Sequence, residues 1–294
     1  MSAEPTRPAD PETGTVTTGH DWDGITELDT PLPRWWLWTF YATVVWGLGY
    51  TIAYPAWPML TEATGGVLGY SSRAEVQTQI ARQAEANADI AARLAAASFE
   101  EIAADPALYT FAEAGGAAVF RAQCSQCHGA GAAGSPGYPN LLDDDWLWGG
   151  TAEKIYATIN HGIRWEADPD TRYSEMPAFG DEGLLSDAEI EAVADHVLAL
   201  SGQADAPEGG ADLFADNCAA CHGDAGEGLP EMGAPRLSDA IWLYGGDRVA
   251  VIATIARSRH GVMPAWGARL SEAELRQVTH YVHSLGGGQR ASGD

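Results

Sequence analysis

Two short runs carry most of the chemistry this sequence offers: Cys124-Ser-Gln-Cys127-His128 and Cys218-Ala-Ala-Cys221-His222. In each, two thiols sit one helical turn apart and an imidazole follows at once. Thiols at that spacing can both add to the vinyl groups of a haem, and the adjacent His then lies beneath the iron as an axial nitrogen. The two runs consume all 4 Cys of the chain. Zinc would need a fourth ligand at each run, and no further Cys exists to supply one. A thioredoxin-like redox pair would follow a strand in a βαβ unit, a pattern absent here. Two disulfides are possible only without haem. The expectation is two covalently bound c-type haems, one on Cys124, Cys127 and His128, the other on Cys218, Cys221 and His222.

The sixth ligand separates electron transfer from reactivity. A thioether opposite His raises the potential and fills the coordination shell, so the iron passes electrons and binds no substrate. Of the 5 Met, Met1 is the first residue, Met59 follows the long apolar stretch and Met232 comes only ten residues after His222. Met176 and Met263 remain, each in the context Met-Pro-Ala-aromatic-Gly. They are the expected sulfur ligands. His161-Gly162 and His260-Gly261 recur near these loops as rival nitrogen ligands; the reading preferred for them is hydrogen bonding to a haem propionate or helix capping. Spacing leaves two arrangements open: each Met serves the haem of its own repeat, or the loops are exchanged.

The elements that position these groups are duplicated. Gly115-Gly116 and Phe120 recur as Gly209-Gly210 and Phe214, Trp146-Leu-Trp-Gly-Gly150 as Trp242-Leu-Tyr-Gly-Gly246, and Leu185-Ser-Asp-Ala-Glu-Ile190 as Leu270-Ser-Glu-Ala-Glu-Leu275. Ser186 with Glu189 and Ser271 with Glu274 are capping-box pairs, each opening a helix that runs toward Gly202 or Gly286. No run alternates like a set of strands, so the expected fold is all-α, two tandem helical domains over 111–202 and 209–286, with a linker at 203–208 and a disordered tail at 287–294.

Upstream, residues 1–34 are polar and without periodicity, which predicts a largely disordered lead-in. Trp35 to Trp57 is free of charge, and at roughly 1.5 Å per residue 23 residues make about 34 Å of helix. Trp35, Trp36 and Trp38 at one end and Tyr50, Tyr54 and Trp57 at the other resemble interfacial belts. These features predict a single transmembrane helix over 35–58, in preference to a cleaved signal peptide or a buried core helix. Thr39, Thr43, Gly47 and Thr51 form a small stripe on it, either a docking face or simply tolerated residues. Residues 59–110 are read as a helical spacer, with one helix from Ser71 or Ser72 to about residue 104.

The formal charge is −25, from 16 Lys+Arg against 41 Asp+Glu, which excludes nucleic-acid binding. With 2 Arg and 7 acids in the first 34 residues, the remainder carries 14 basic and 34 acidic groups, a net −20. Such a surface can steer a basic donor or reflect solubility in salt.

With these residues in place, each repeat resembles a class I cytochrome c domain. The resemblance implies that a Pro carbonyl accepts from the axial His, a role that falls on Pro139 and Pro235. It also implies packing of an aromatic of the last helix on the first; Tyr281 matches, whereas the aligned residue of the first repeat is His196. The whole chain resembles the CcoP/FixP dihaem subunits of cbb3-type oxidases, through His20-Asp-Trp-Asp-Gly-Ile, Pro31-Leu-Pro-Arg-Trp-Trp and Ala53-Tyr-Pro-Ala-Trp-Pro58 followed by the two haem domains. That implies a non-catalytic subunit in the bacterial inner membrane, its haem domains in the periplasm. It would relay electrons from a donor cytochrome c to the catalytic and monohaem subunits, where O2 is reduced and protons are pumped. The alternatives are an independent anchored dihaem carrier and a dihaem peroxidase, the latter needing an iron with an open or displaceable ligand.

Overall fold

The computed structural model describes residues 7–203 and 209–289. The disorder expected for residues 1–6 and 290–294 lies outside the described residues, as does most of the linker; within the tail expected to be disordered, Gly287 O accepts from Trp146 Nε1 and Gln289 N donates to Gly150 O. The chain divides into two compact units, Met1–Glu85 and Ala86–Asp294.

In the first unit, the lead-in contains a β-hairpin that the sequence reading missed. Strands β1 (Thr17–Trp22) and β2 (Ile25–Leu28) pair antiparallel, with Trp22 opposite Ile25. Asp23 and Gly24 both take positive φ, 53° and 91°, the backbone of a tight two-residue hairpin turn. The Gly24 amide donates to the Asp21 carboxylate at 2.6 Å. Eight of the ten strand residues are exposed, so no buried-and-exposed alternation gives a strand signal.

Helix α1 spans Arg34–Ala53, 20 residues. Among the described residues no helix is long and apolar enough to cross a membrane, which overturns the transmembrane segment expected over 35–58. The physical reason lies in length and composition. The helix stops at Ala53, short of Trp57, as the chain turns extended at Tyr54 ahead of Pro55. Of its residues, 4 Trp and 2 Tyr are types that favour an interface over a hydrocarbon interior, and 3 Thr and 2 Gly add little apolar surface. The stripe hydroxyls turn back on their own helix: Thr39 donates to Trp35 O, Thr43 to Phe40 O and Thr51 to Leu48 O. Helix α2 (Ser72–Ala86) follows, with no buried residue.

The second unit is helical. The single long spacer helix expected from sequence is broken into pieces: after α2 come α3 (Ala88–Ala96) and α4 (Phe99–Ala104). Ser98 and Glu101 form a reciprocal capping box that restarts the chain as α4, and Asp105 caps α5 (Pro106–Val119) with Pro106 at its first position. Leu94, Ala97, Ile102, Leu108 and Ala112 close a small core here, against Ala273. A single π turn, Phe120–Cys124, leads into α6 (Ser125–His128), followed by α7 (Ala152–His161) and α8 (Asp187–Leu200). The second repeat supplies α9 (Gly210–Asn217), α10 (Ala219–His222), α11 (Arg248–Arg257) and α12 (Glu272–Ser284). Both expected capping boxes, Ser186/Glu189 and Ser271/Glu274, are present.

The two main cores do not follow the repeats. One joins Phe120, Ile155 and Ile159 of the first repeat to Leu275, Val278 and Val282 on α12. The other joins Phe214, Val251 and Ile255 of the second repeat to Ile190, Val193 and Val197 on α8. Each closing helix has crossed to the opening helix of the other repeat. Two Gly allow the crossings: a Cβ on Gly116 would meet the Gln277 carbonyl and Tyr281, and one on Gly210 would meet the Ala192 carbonyl and His196. Tyr281 accordingly packs on Phe120 at 5.5 Å between ring centroids, and His196 on Phe214 at 5.2 Å.

Candidate haem-binding sites

Each Cys-x-x-Cys-His run is wound into a short helix at the end of an opening helix. The thiols are free; Cys127 and Cys221 are exposed, and Cys124 and Cys218 are half-buried. Burial, reinforced by the neighbouring thiol, pushes Cys124 and Cys218 up to about 11, so both are protonated at neutral pH.

The imidazoles are held from below. His128 Nδ1 donates to Pro139 O at 3.1 Å, and His222 Nδ1 donates to Pro235 O at 2.9 Å. A carbonyl can only accept, so the proton sits on Nδ1 and Nε2 keeps its lone pair. Burial lowers the pKa of both rings, which favours this neutral form. The loops that carry the two Pro residues are tied to the same His: Gly134 N donates to His128 O, and Gly228 N to His222 O. Two free thiols beside an oriented imidazole with an available Nε2 fit a covalent c-type haem in both places.

The methionines are distributed across the repeats. Met263 packs in the core that contains Cys124, Phe120 and α7. Met176 packs in the core that contains Cys218, Ala219 and α11. The two loops are bonded alike. Trp266 N and Gly267 N donate to Ile159 O and Asn160 O at the end of α7, both at 3.0 Å; Phe179 N and Gly180 N donate to Ile255 O and Ala256 O at the end of α11, at 3.2 and 3.1 Å. Met263 exchanges two backbone hydrogen bonds with Ile163, at 2.9 and 3.0 Å. Gly162, at φ 71°, lets that strand approach, since a Cβ there would meet Met263 O. At the equivalent position after α11 stands Ser258, also left-handed at φ 48°, whose hydroxyl donates to Met176 O.

His161 and His260 are not equivalent in space. His161 is the last residue of α7, with Nδ1 3.2 Å from the Asp168 carboxylate and Nε2 bonded to Asn160. His260 lies two residues beyond the end of α11 and bonds Ser258 O. Both ring nitrogens of His161 are engaged with protein groups, which does not suit an axial role. Sequence reasoning passed over Arg164 and Ser258, both of which touch the Met segments. A non-Gly residue at positive φ leaves no mark in composition or periodicity, so nothing in the sequence flagged either.

Comparison with known proteins places this geometry. Residues 14–61 match the N-terminal domain of cytochrome oxidase-cbb3, FixP. Residues 112–197 and 205–282 match cytochrome c oxidase, cbb3-type, subunit III. The chain is 57% identical over 294 residues to the Cbb3-type cytochrome c oxidase subunit CcoP of Cereibacter sphaeroides, covering 98% of this chain and 100% of that protein. It is 54% identical to subunit FixP of Sinorhizobium medicae, over 95% of this chain and 97% of that one. It is also 54% identical to CcoP of Rhodobacter capsulatus, over 98% and 100%. With haem-type motifs, oriented imidazoles and full-length similarity together, the chain belongs to the CcoP/FixP family, subunit III of the cbb3-type cytochrome c oxidases.

Proposed function

We propose that this electron-transfer subunit holds two haems built from both repeats: one on Cys124, Cys127, His128 and Met263, the other on Cys218, Cys221, His222 and Met176. The observation that carries this reading is the placement of Met263 in the core with Cys124 and of Met176 in the core with Cys218. Bound haem iron supplies one-electron cycling between two oxidation states. The protein's share is to hold the iron's ligands still. Pro139 and Pro235 fix the imidazoles, and the backbone pairs at Ile159–Trp266 and Ile255–Phe179 fix the thioether segments. A shell filled by nitrogen and sulfur leaves no place for a substrate, so the subunit relays electrons and the chemistry on O2 belongs to the oxidase core. A donor cytochrome c feeds it, and the surplus of acids favours a basic donor surface. Thioether attachment in bacteria takes place outside the cytoplasmic membrane, which puts the Cys-bearing unit on the periplasmic side.

The test uses the Cys124→Ala/Cys127→Ala chain, which keeps only the second haem. In that background Met176→Leu should abolish the red charge-transfer band of sulfur-ligated ferric iron, and Met263→Leu should leave it. The opposite result would show that each Met serves its own repeat.

A further inference from the structure

Among the described residues, Arg164 is the only side chain that bonds the backbone of both methionine segments. Its Nε donates to Gly261 O at 2.8 Å, two residues before Met263, and its Nη1 donates to Ser174 O at 2.7 Å, two residues before Met176. The side chain is aimed by a local device. Arg164 takes the left-handed region at φ 53°, and its own amide donates to Arg172 O at 2.8 Å, while Arg172 N returns to Gly162 O at 3.2 Å. The preceding residue, Ile163, is the one paired in both directions with Met263. The guanidinium is half-buried and faces Tyr244, Glu175 and Tyr173. Ionic partners are otherwise scarce: Glu175, the residue before Met176, lies 3.7 Å from His260 Nε2.

We propose that Arg164 is a positioning residue shared by the two haems: it clamps both sulfur-bearing segments and places one positive charge beside both. The proposal rests on Met176 and Met263 being the axial sulfurs. Its physical content has two parts. A planar fork spans two carbonyls at once, which a Lys ammonium on a flexible stem does not reproduce. A fixed cation near an iron disfavours the oxidised state, which carries one more positive charge, so it raises the potential of each iron it faces.

The experiment compares the complete dihaem chain with its Arg164→Lys and Arg164→Gln variants. Imidazole is titrated as a competing ligand, and each haem's midpoint potential is measured. Arg164→Gln should raise the apparent imidazole affinity of both haems about tenfold, the loss expected for a charged hydrogen bond, and lower both potentials. Arg164→Lys should loosen both segments similarly but restore most of the potential. A change confined to one haem, or none, would overturn the shared role. Equal potentials in Gln and Lys variants would overturn the electrostatic part. The unmodified chain guards the premise: if it lacks the charge-transfer band altogether, the ligand assignment itself fails, and the proposal with it.

Discussion

Asp145 sits beside Asp143 and Asp239, with Arg236 as a compensating charge. Burial, then repulsion from Asp239 and Asp143, pushes its carboxyl up to about 6. A carboxyl whose folded pKa exceeds its unfolded value of 3.8 stabilises the fold only while protonated. The benefit is present below pH 4 and is lost as pH rises through 6, so at pH 7 the ionised group opposes folding. Replacing Asp145 with Asn should therefore raise stability at pH 7 by about 1 kcal/mol, a figure already reduced for solvent screening at a half-exposed site. The gain should fade between pH 6 and pH 4 when denaturant midpoints are compared across that range. A gain independent of pH would assign the effect to packing.

At the scale of elements, the crossings of α5 with α12 and of α9 with α8 depend on bare backbone. Gly116 lies inside α5, where Ala has the higher helix propensity by about 1 kcal/mol. Propensity alone predicts that Gly116→Ala stabilises. The Gln277 carbonyl occupies the space a Cβ would need, so the opposite is expected: a loss of about 1–3 kcal/mol, seen as a lower unfolding midpoint. The sequence made the ingredients of these elements legible, because Ser186/Glu189 and Ser271/Glu274 act locally and the thiol–imidazole runs are contiguous. It also placed Pro139 and Pro235 through family resemblance, and the carbonyls stand where that resemblance implied. The hairpin at Thr17–Leu28 escaped because its faces are not divided into buried and exposed. The same charge-free stretch that suggested a membrane span gives a helix that ends at Ala53; its Trp, Tyr, Thr and Gly, read as interfacial belts and a stripe, leave it short of strongly apolar residues.

For the molecule as a whole, the exchange of closing helices was invisible in the sequence because both repeats carry the same motifs in the same order. Either α8 or α12 satisfies the apolar face of either opening helix at the level of residue type, and it is the packing, Tyr281 on Phe120 and His196 on Phe214 among it, that distinguishes them. The exchange has a consequence for dissection. A fragment ending at residue 202 contains Cys124, Cys127, His128 and Met176, a full set by motif, yet it lacks α12 and Met263. Made in a host that attaches haem, it should show no sulfur charge-transfer band and a poorly cooperative melt. The intact chain should show both features. A well-folded, sulfur-ligated fragment would show that the first repeat is self-sufficient.

The exchange also sets an order of birth. Translation proceeds from the N-terminus, so when His222 emerges from the ribosome Met176 has preceded it by 46 residues. His128 has no such companion, because Met263 follows it 135 residues later. On the ligand assignment proposed above, the two centres mature unequally from near-identical parts: one finds its sulfur already made, and the other must wait until the last tenth or so of the polypeptide arrives.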